Sequence, residues 1–131
     1  MAEPTRRAAL LALAARVEQA AEGSRKLDEA ISCAVFPELR QVWVTDSVTG
    51  PEMIWQMHGE RVRILDYSHS VDAAMSLVPK GLSATVSWMK RGSAALFHYS
   101  GSEIDWCRDS TASTPALALT AAALRARAAM E

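Results

Sequence analysis

Histidine and cysteine are scarce, with three and two copies in 131 residues. Cys33 and Cys107 lie far apart and form no CxxC pair. That excludes a disulfide-stapled secreted scaffold and leaves free thiols in a reducing compartment as the simple reading. His58, His69 and His98 have no histidine or cysteine three or four residues away, and no HExxH occurs. The sequence therefore offers no helical metal pair. Cys33, in particular, reads as a small buried hydrophobe rather than a nucleophile. No catalytic residue, metal or cofactor is expected. No apolar run approaches the roughly 18 residues of a membrane span. Formal charge is near balance at −1, so nothing recommends duplex DNA or an anionic membrane as partner. Arg6 and Arg7 before Ala8–Ala15 imitate a signal peptide, but the run is short, alanine-rich and followed by Arg16 and Glu18. It reads instead as a helix. A soluble, cytoplasmic protein is the expectation.

What is present is a globular composition, half hydrophobic and 22% charged, in a length that suits a single domain over 1–131. Leu10, Leu13, Ala14, Val17 and Ala21 fall at helical spacing, so a helix is predicted over 5–22 with Thr5 as cap and Gly23 as C′ residue. Ser24 opens a second helix over 25–35, with Leu27, Ala30, Ile31 and Ala34 inward, and Pro37 ends it. These form an N-terminal helical pair, 5–35. Strands then dominate residues 41–107. Gln41–Thr45 is β-branched and aromatic, and Met53–Met57 is a second short strand. Between them Asp46–Glu52 reads as a loop around Gly50-Pro51. His58-Gly59 is a turn into Arg61–Leu65, where Val62 and Ile64 face a core and Arg61 and Arg63 face water. A helix over 71–78 is inserted in this region, capped by Ser70, with Val71, Ala74, Met75 and Val78 inward. After Pro79-Lys80-Gly81 a strand alternates Leu82, Ala84, Val86 and Trp88 inward with Ser83, Thr85, Ser87 and Met89 outward. A hairpin turn over Lys90–Ser93 leads to Ala94–Tyr99, then a break at Ser100–Ser102 and a short edge strand, Glu103–Cys107. Ser110–Ser113 reads as a linker. Thr114 and Pro115 then start a C-terminal helix, 115–130, that is apolar enough to lie against the sheet or a partner chain. The predicted class is α+β: one small antiparallel sheet of four to six strands covered by helices, an α/β sandwich.

Two segments, SVDAAMSLVPKG before a Trp-containing strand and STPALALTAAALRARAAM near the C-terminus, resemble small uncharacterised proteins of phages and prophages of alphaproteobacteria. That family is similar to the phage ABA sandwich domain. The resemblance implies helix–sheet–helix layering and a phage origin; it implies no reaction.

The candidate site residues are Arg61, Arg63, Tyr67, Trp55 and Arg91. Arginines on one strand face, near aromatic side chains able to stack, are the means by which proteins hold small nucleotides. A solvated strand face accounts for the same alternation. Ser70 and Thr114 precede helix N-termini, where hydroxyls and free N–H groups bind anions, yet capping alone explains them. The functional expectation is a non-enzymatic phage accessory protein that sequesters a nucleotide-derived signal of host defence, as a homo-oligomer. The alternative is a structural or host-inhibitory protein-interaction module that acts through its C-terminal helix.

Overall fold

The computed structural model describes residues 5–46, 48, 50–88, 91–100 and 103–131. The order is α1 (Arg6–Gln19), α2 (Arg25–Val35), β1 (Arg40–Asp46), β2 (Gly50–Met57), β3 (Glu60–Val62), α3 (Val71–Met75), β4 (Ser83–Trp88), β5 (Gly92–Ser100), β6 (Glu103–Ala112) and α4 (Pro115–Ala129). The class is α+β, as expected. The strands, however, form two antiparallel sheets, β1-β2-β3 and β4-β5-β6. The single sheet of the sequence reading is corrected because the chain between β3 and β4 turns into the helical layer. Ile64, Tyr67, Ser68, Ala74 and Leu77 are all buried there.

The α4 helix explains the layering. Leu117, Leu119, Leu124 and the alanines around them are 0% exposed on every side of the helix. A helix apolar all round must be enclosed. Here the second sheet covers one side, and α1 and α3 cover the rest. Alanines let helix axes approach closely, and Leu10, Leu13, Ala14 and Val17 of α1 fill the facing layer. Gly92 abuts the start of α4, where an added Cβ would lie 2.2 Å from the Thr114 carbonyl carbon. Thr114 caps α4 by accepting from Leu117 N–H, and Pro115 opens its first turn.

The three-stranded unit of β1, β2 and β3 contributes no residue to this core cluster. Its β1–β2 hairpin pairs Arg40 with Gln56 through to Asp46 with Gly50. The predicted loop Asp46–Glu52 is therefore mostly strand: Pro51, lacking an N–H, pairs with Thr45. Only Val48 of residues 47–49 is described, and it is exposed. The β2–β3 turn is His58-Gly59, at φ 53° and 81°. Two successive positive φ values are the geometry of a type I′ hairpin, which glycine adopts without strain.

Other boundaries shift for local reasons. The α1 helix ends at Gln19, so Ala21 is exposed and Gly23 is not its C′ residue. Gly23 is instead a close approach: a Cβ there would meet the Ser68 carbonyl oxygen at 2.4 Å. The inner stripe of α2 is Leu27, Asp28, Ile31, Ser32 and Val35, rotated from the predicted one, which leaves Cys33 exposed rather than buried. The inserted helix is α3 alone, five residues, not 71–78; Leu77 is buried and Met75 is 44% exposed. The last strand runs through Ala112 rather than stopping at Cys107, because Gly92–Phe97 of β5 supplies partners as far as Ala112. The Ser110–Ser113 linker is thus largely strand. Strands consequently span 40–112 rather than 41–107. Trp88, opposite Gly92 at the end of β4, is 68% exposed and not in the core. Met89 of the predicted strand and Lys90, Gly101 and Ser102 of the predicted turns lie outside the described residues.

Candidate functional site

The type I′ turn places Trp55 opposite Val62 and Gln56 opposite Arg61. Beyond Val62 the chain leaves the sheet and runs beside α2 to Tyr67. Two sets of polar contacts hold it there. Arg25, in the first turn of α2, donates from Nη1 to the Ile64 carbonyl at 3.2 Å and pairs with Glu29 at 3.4 Å. Asp28, 2% exposed, accepts from Ser68 N–H at 2.8 Å and Ser68 Oγ at 2.6 Å. Ser68 Oγ in turn accepts from Ser24 N–H at 3.0 Å. A buried carboxylate is tolerated only with such donors.

This arrangement opens a cleft of about 320 Å³ between α2 and the first sheet. Arg25, Arg61, Arg63 and Trp55 line it with Met53 and Ile54. Arg61 is tied to Glu52 at 2.8 Å in an exposed pair, an interaction worth little in water. The exposed Arg63 side chain has no hydrogen bond or ion pair among the described residues. Three guanidinium groups against two carboxylates, Glu29 and Glu52, leave the cleft locally basic in a chain of balanced charge.

A second, more apolar cavity of about 230 Å³ adjoins it. Val62, Arg63 and Ile64 line both spaces; Phe36, Leu39, Met57 and Tyr67 complete the apolar wall of the second. Tyr67 is 4% exposed, and burial holds its phenol above the ordinary value, against smaller opposing effects of Ser32 and Arg127. Ser32 also lines this cavity, 2% exposed, with its hydroxyl buried beside the Tyr67 phenol.

Of the five residues named from sequence, Arg61, Arg63 and Trp55 come together in the cleft and Tyr67 in the cavity beside it. Arg91 does not join them. It is exposed at the start of the β5 hairpin arm, in the other sheet. Ser70 and Thr114 are caps, accepting from Ala73 and Leu117 N–H respectively. The exposed Cys33 thiol is raised above its ordinary value by burial of its surroundings and by Glu29, which makes it a poor nucleophile at neutral pH. No cluster of three histidine, cysteine or acidic side chains among the described residues is placed to hold a metal.

Arg25 and Ser32 were missed by the sequence reading. Each left a trace. A cation in the first turn of a helix runs against the dipole, and Ser32 interrupts an apolar stripe four residues after Asp28. Comparison of the chain with protein-family models, with curated proteins and with solved structures finds no match. No described helix is long and apolar enough to cross a membrane.

Proposed function

We propose that the chain binds a small nucleotide-derived anion in the cleft between α2 and the first sheet, and acts in the cytoplasm by sequestering it rather than by transforming it. One observation carries this reading: Arg61, Arg63 and Trp55 line one cleft of about 320 Å³ together with Arg25, which is distant from them in sequence. Guanidinium groups pair with phosphate oxygens in bidentate fashion, and an indole face offers stacking. A volume near 300 Å³ sits at the small end of ligand pockets. Sequestration of a defence signal, the role expected from the sequence, needs binding of this kind and no catalytic group.

The test is differential scanning fluorimetry with AMP, ADP-ribose and cyclic di-GMP, together with native mass spectrometry of the freshly purified chain. A ligand present at a hundred times its Kd should stabilise the fold by about 2.7 kcal/mol. Arg63→Ala should remove most of that gain and leave the unliganded melting temperature unchanged. Absence of any shift with all three ligands, and of any retained nucleotide, defeats the proposal.

A second reading, contact with another protein chain, rests on a different surface from the one expected. The α4 helix is enclosed by its own chain. The exposed apolar pair is Trp43 and Met53, directly opposite each other on β1 and β2 and 70% and 41% exposed. The homo-oligomer expected from the sequence is proposed to form through this face.

A further inference from the structure

We infer that two copies of the chain join edge to edge, β1 against β1, in an antiparallel register centred on Trp43, so that their first sheets become one continuous sheet. The inference rests on the reading of Trp43 and Met53 as a contact with a second copy, and names how that contact is made. β1 is an outer strand of its sheet, and β2 is the element packed against it. The opposite edge, β3, has only three residues. An uncovered outer strand is a template for another strand, and chains that stay single blunt it with proline, lysine or a bulge. β1 reads Arg-Gln-Val-Trp-Val-Thr-Asp, without proline or lysine, and keeps an unbroken register with β2.

The direction of its backbone groups follows from the neighbouring hairpin. The two-residue turn His58-Gly59 makes Met57 and Glu60 a hydrogen-bonded pair, which aims the Met57 N–H and C=O at β3. Successive strand residues alternate in this respect. Trp55, Met53 and Pro51 therefore also aim away from β1, which suits a proline without an N–H at position 51. Gln56, Ile54, Glu52 and Gly50 face β1 and pair with Arg40, Val42, Val44 and Asp46. The N–H and C=O groups of Gln41, Trp43 and Thr45 are left on the free edge. Antiparallel pairing centred on Trp43 sets Trp43 of one copy opposite Trp43 of the other, and Gln41 opposite Thr45. Every outward N–H then meets an outward carbonyl. Of the registers that match these groups, this one alone pairs all seven residues of the strand. It also matches charge, because Arg40 at the first position falls opposite Asp46 at the last, twice by symmetry. Val42 falls opposite Val44, and the exposed Trp43 and Met53 of the two copies form one apolar row across the dyad.

Sedimentation velocity over a concentration series, with amide hydrogen exchange by NMR at its dimeric and monomeric ends, tests the pairing on the full chain. The amides of Gln41, Trp43 and Thr45 should exchange about tenfold or more slowly in the dimer than in the monomer. Those of Val42 and Val44, bonded to β2, should be protected at both ends. Gln41→Pro removes an outward N–H that β2 does not use, and should leave the chain monomeric with its circular dichroism unchanged. Arg40→Glu should raise the dimer dissociation constant about tenfold, and Arg40→Glu combined with Asp46→Arg should restore it. A dimer whose three edge amides exchange as fast as in the monomer overturns the edge pairing while keeping the contact through Trp43 and Met53. So does a dimer that survives Gln41→Pro. Failure of the double charge reversal to recover affinity overturns the register. Should Gln41→Pro fail to fold, the exchange of the three amides decides alone. A monomer at every concentration is a different result, and it removes the contact with a second copy itself.

Discussion

Replacing Ser68 with alanine removes one oxygen and breaks the contact that ties the segment after β3 to α2. In the native chain Ser68 Oγ lies 2.6 Å from Asp28 Oδ1 and 3.2 Å from the Ser24 carbonyl. A hydroxyl has one proton, and the shorter approach to a charged acceptor takes it. The substitution therefore deletes a hydrogen bond to a buried carboxylate, worth about 1.5–3 kcal/mol. It also deprives Ser24 N–H of its acceptor at 3.0 Å. That group is only part-buried, so water recovers some of the loss, and about 0.5–1 kcal/mol is added. Asp28 keeps the Ser68 backbone N–H at 2.8 Å, which prevents a fully orphaned charge. The total is about 2–4 kcal/mol, a large share of the 5–15 kcal/mol that holds a domain folded. At this chain length it corresponds to a fall of roughly 6–12 °C in Tm. Urea unfolding at neutral pH, followed by circular dichroism and tryptophan fluorescence, measures it. Ser70→Ala is the control: it removes only the cap of a five-residue helix and should cost about 1 kcal/mol. A loss below about 1 kcal/mol for Ser68→Ala, or one equal to that of Ser70→Ala, refutes the idea that this network anchors the segment.

Two further outcomes follow from the same structure. Tyr67 is raised above its ordinary value of 10.0 chiefly by burial. The native state then holds its phenolic proton more tightly than the unfolded chain. Its contribution is fully present below about pH 10 and is lost as pH rises through the native value. Tyr67→Phe should therefore flatten the alkaline decline of stability without altering its neutral plateau. Cys33, raised from 9.0, declines in an overlapping window, but both proteins share it, so the difference between their pH–Tm curves isolates Tyr67. An unchanged alkaline slope rules the phenol out. The second concerns Trp43, 70% exposed opposite Met53. Trp43→Ser should convert an oligomer into a monomer by light scattering with no loss of Tm. A monomeric wild-type chain at every concentration tested removes the role assigned to this face.

Local chemistry was legible where one segment settles its own structure. Thr5, Ser24, Ser70 and Thr114 each accept from the third residue onward, as their positions before helical patterns imply. His58-Gly59 announces its turn, and the near-continuous apolar run of the last helix announces that it lies against other elements. Partition of the strands into two sheets was not legible, because it depends on where the chain between β3 and β4 goes. Nothing in Arg61–Leu65 shows that pairing stops at Val62 and that Ile64 packs beside α2. The inner stripe of α2 misled for a related reason. Asp28 and Ser32 read as solvent-facing until Ser68, forty residues after Asp28, supplies the hydrogen bonds that allow the carboxylate to be buried. Polar burial is a property of pairs, and one-dimensional periodicity cannot see the second member.

The candidate site inherits the same dependence. Arg61, Arg63, Tyr67 and Trp55 lie within thirteen residues of one another, so their proximity could be read directly. Arg25 and Ser32 enter only because the segment 63–68 is laid along α2. The contacts that lay it there, Arg25 to the Ile64 carbonyl and Asp28 to Ser68, lie in or beside the walls of the two spaces. The ligand surface and the anchorage of this segment are thus one structure. Loosening Ser68 should displace Arg63 and open the cavity wall as well as lower stability, whereas Arg63→Ala should remove affinity while stability stays. That contrast separates the anchor from the ligand contact, even though both lie on the same short stretch of chain.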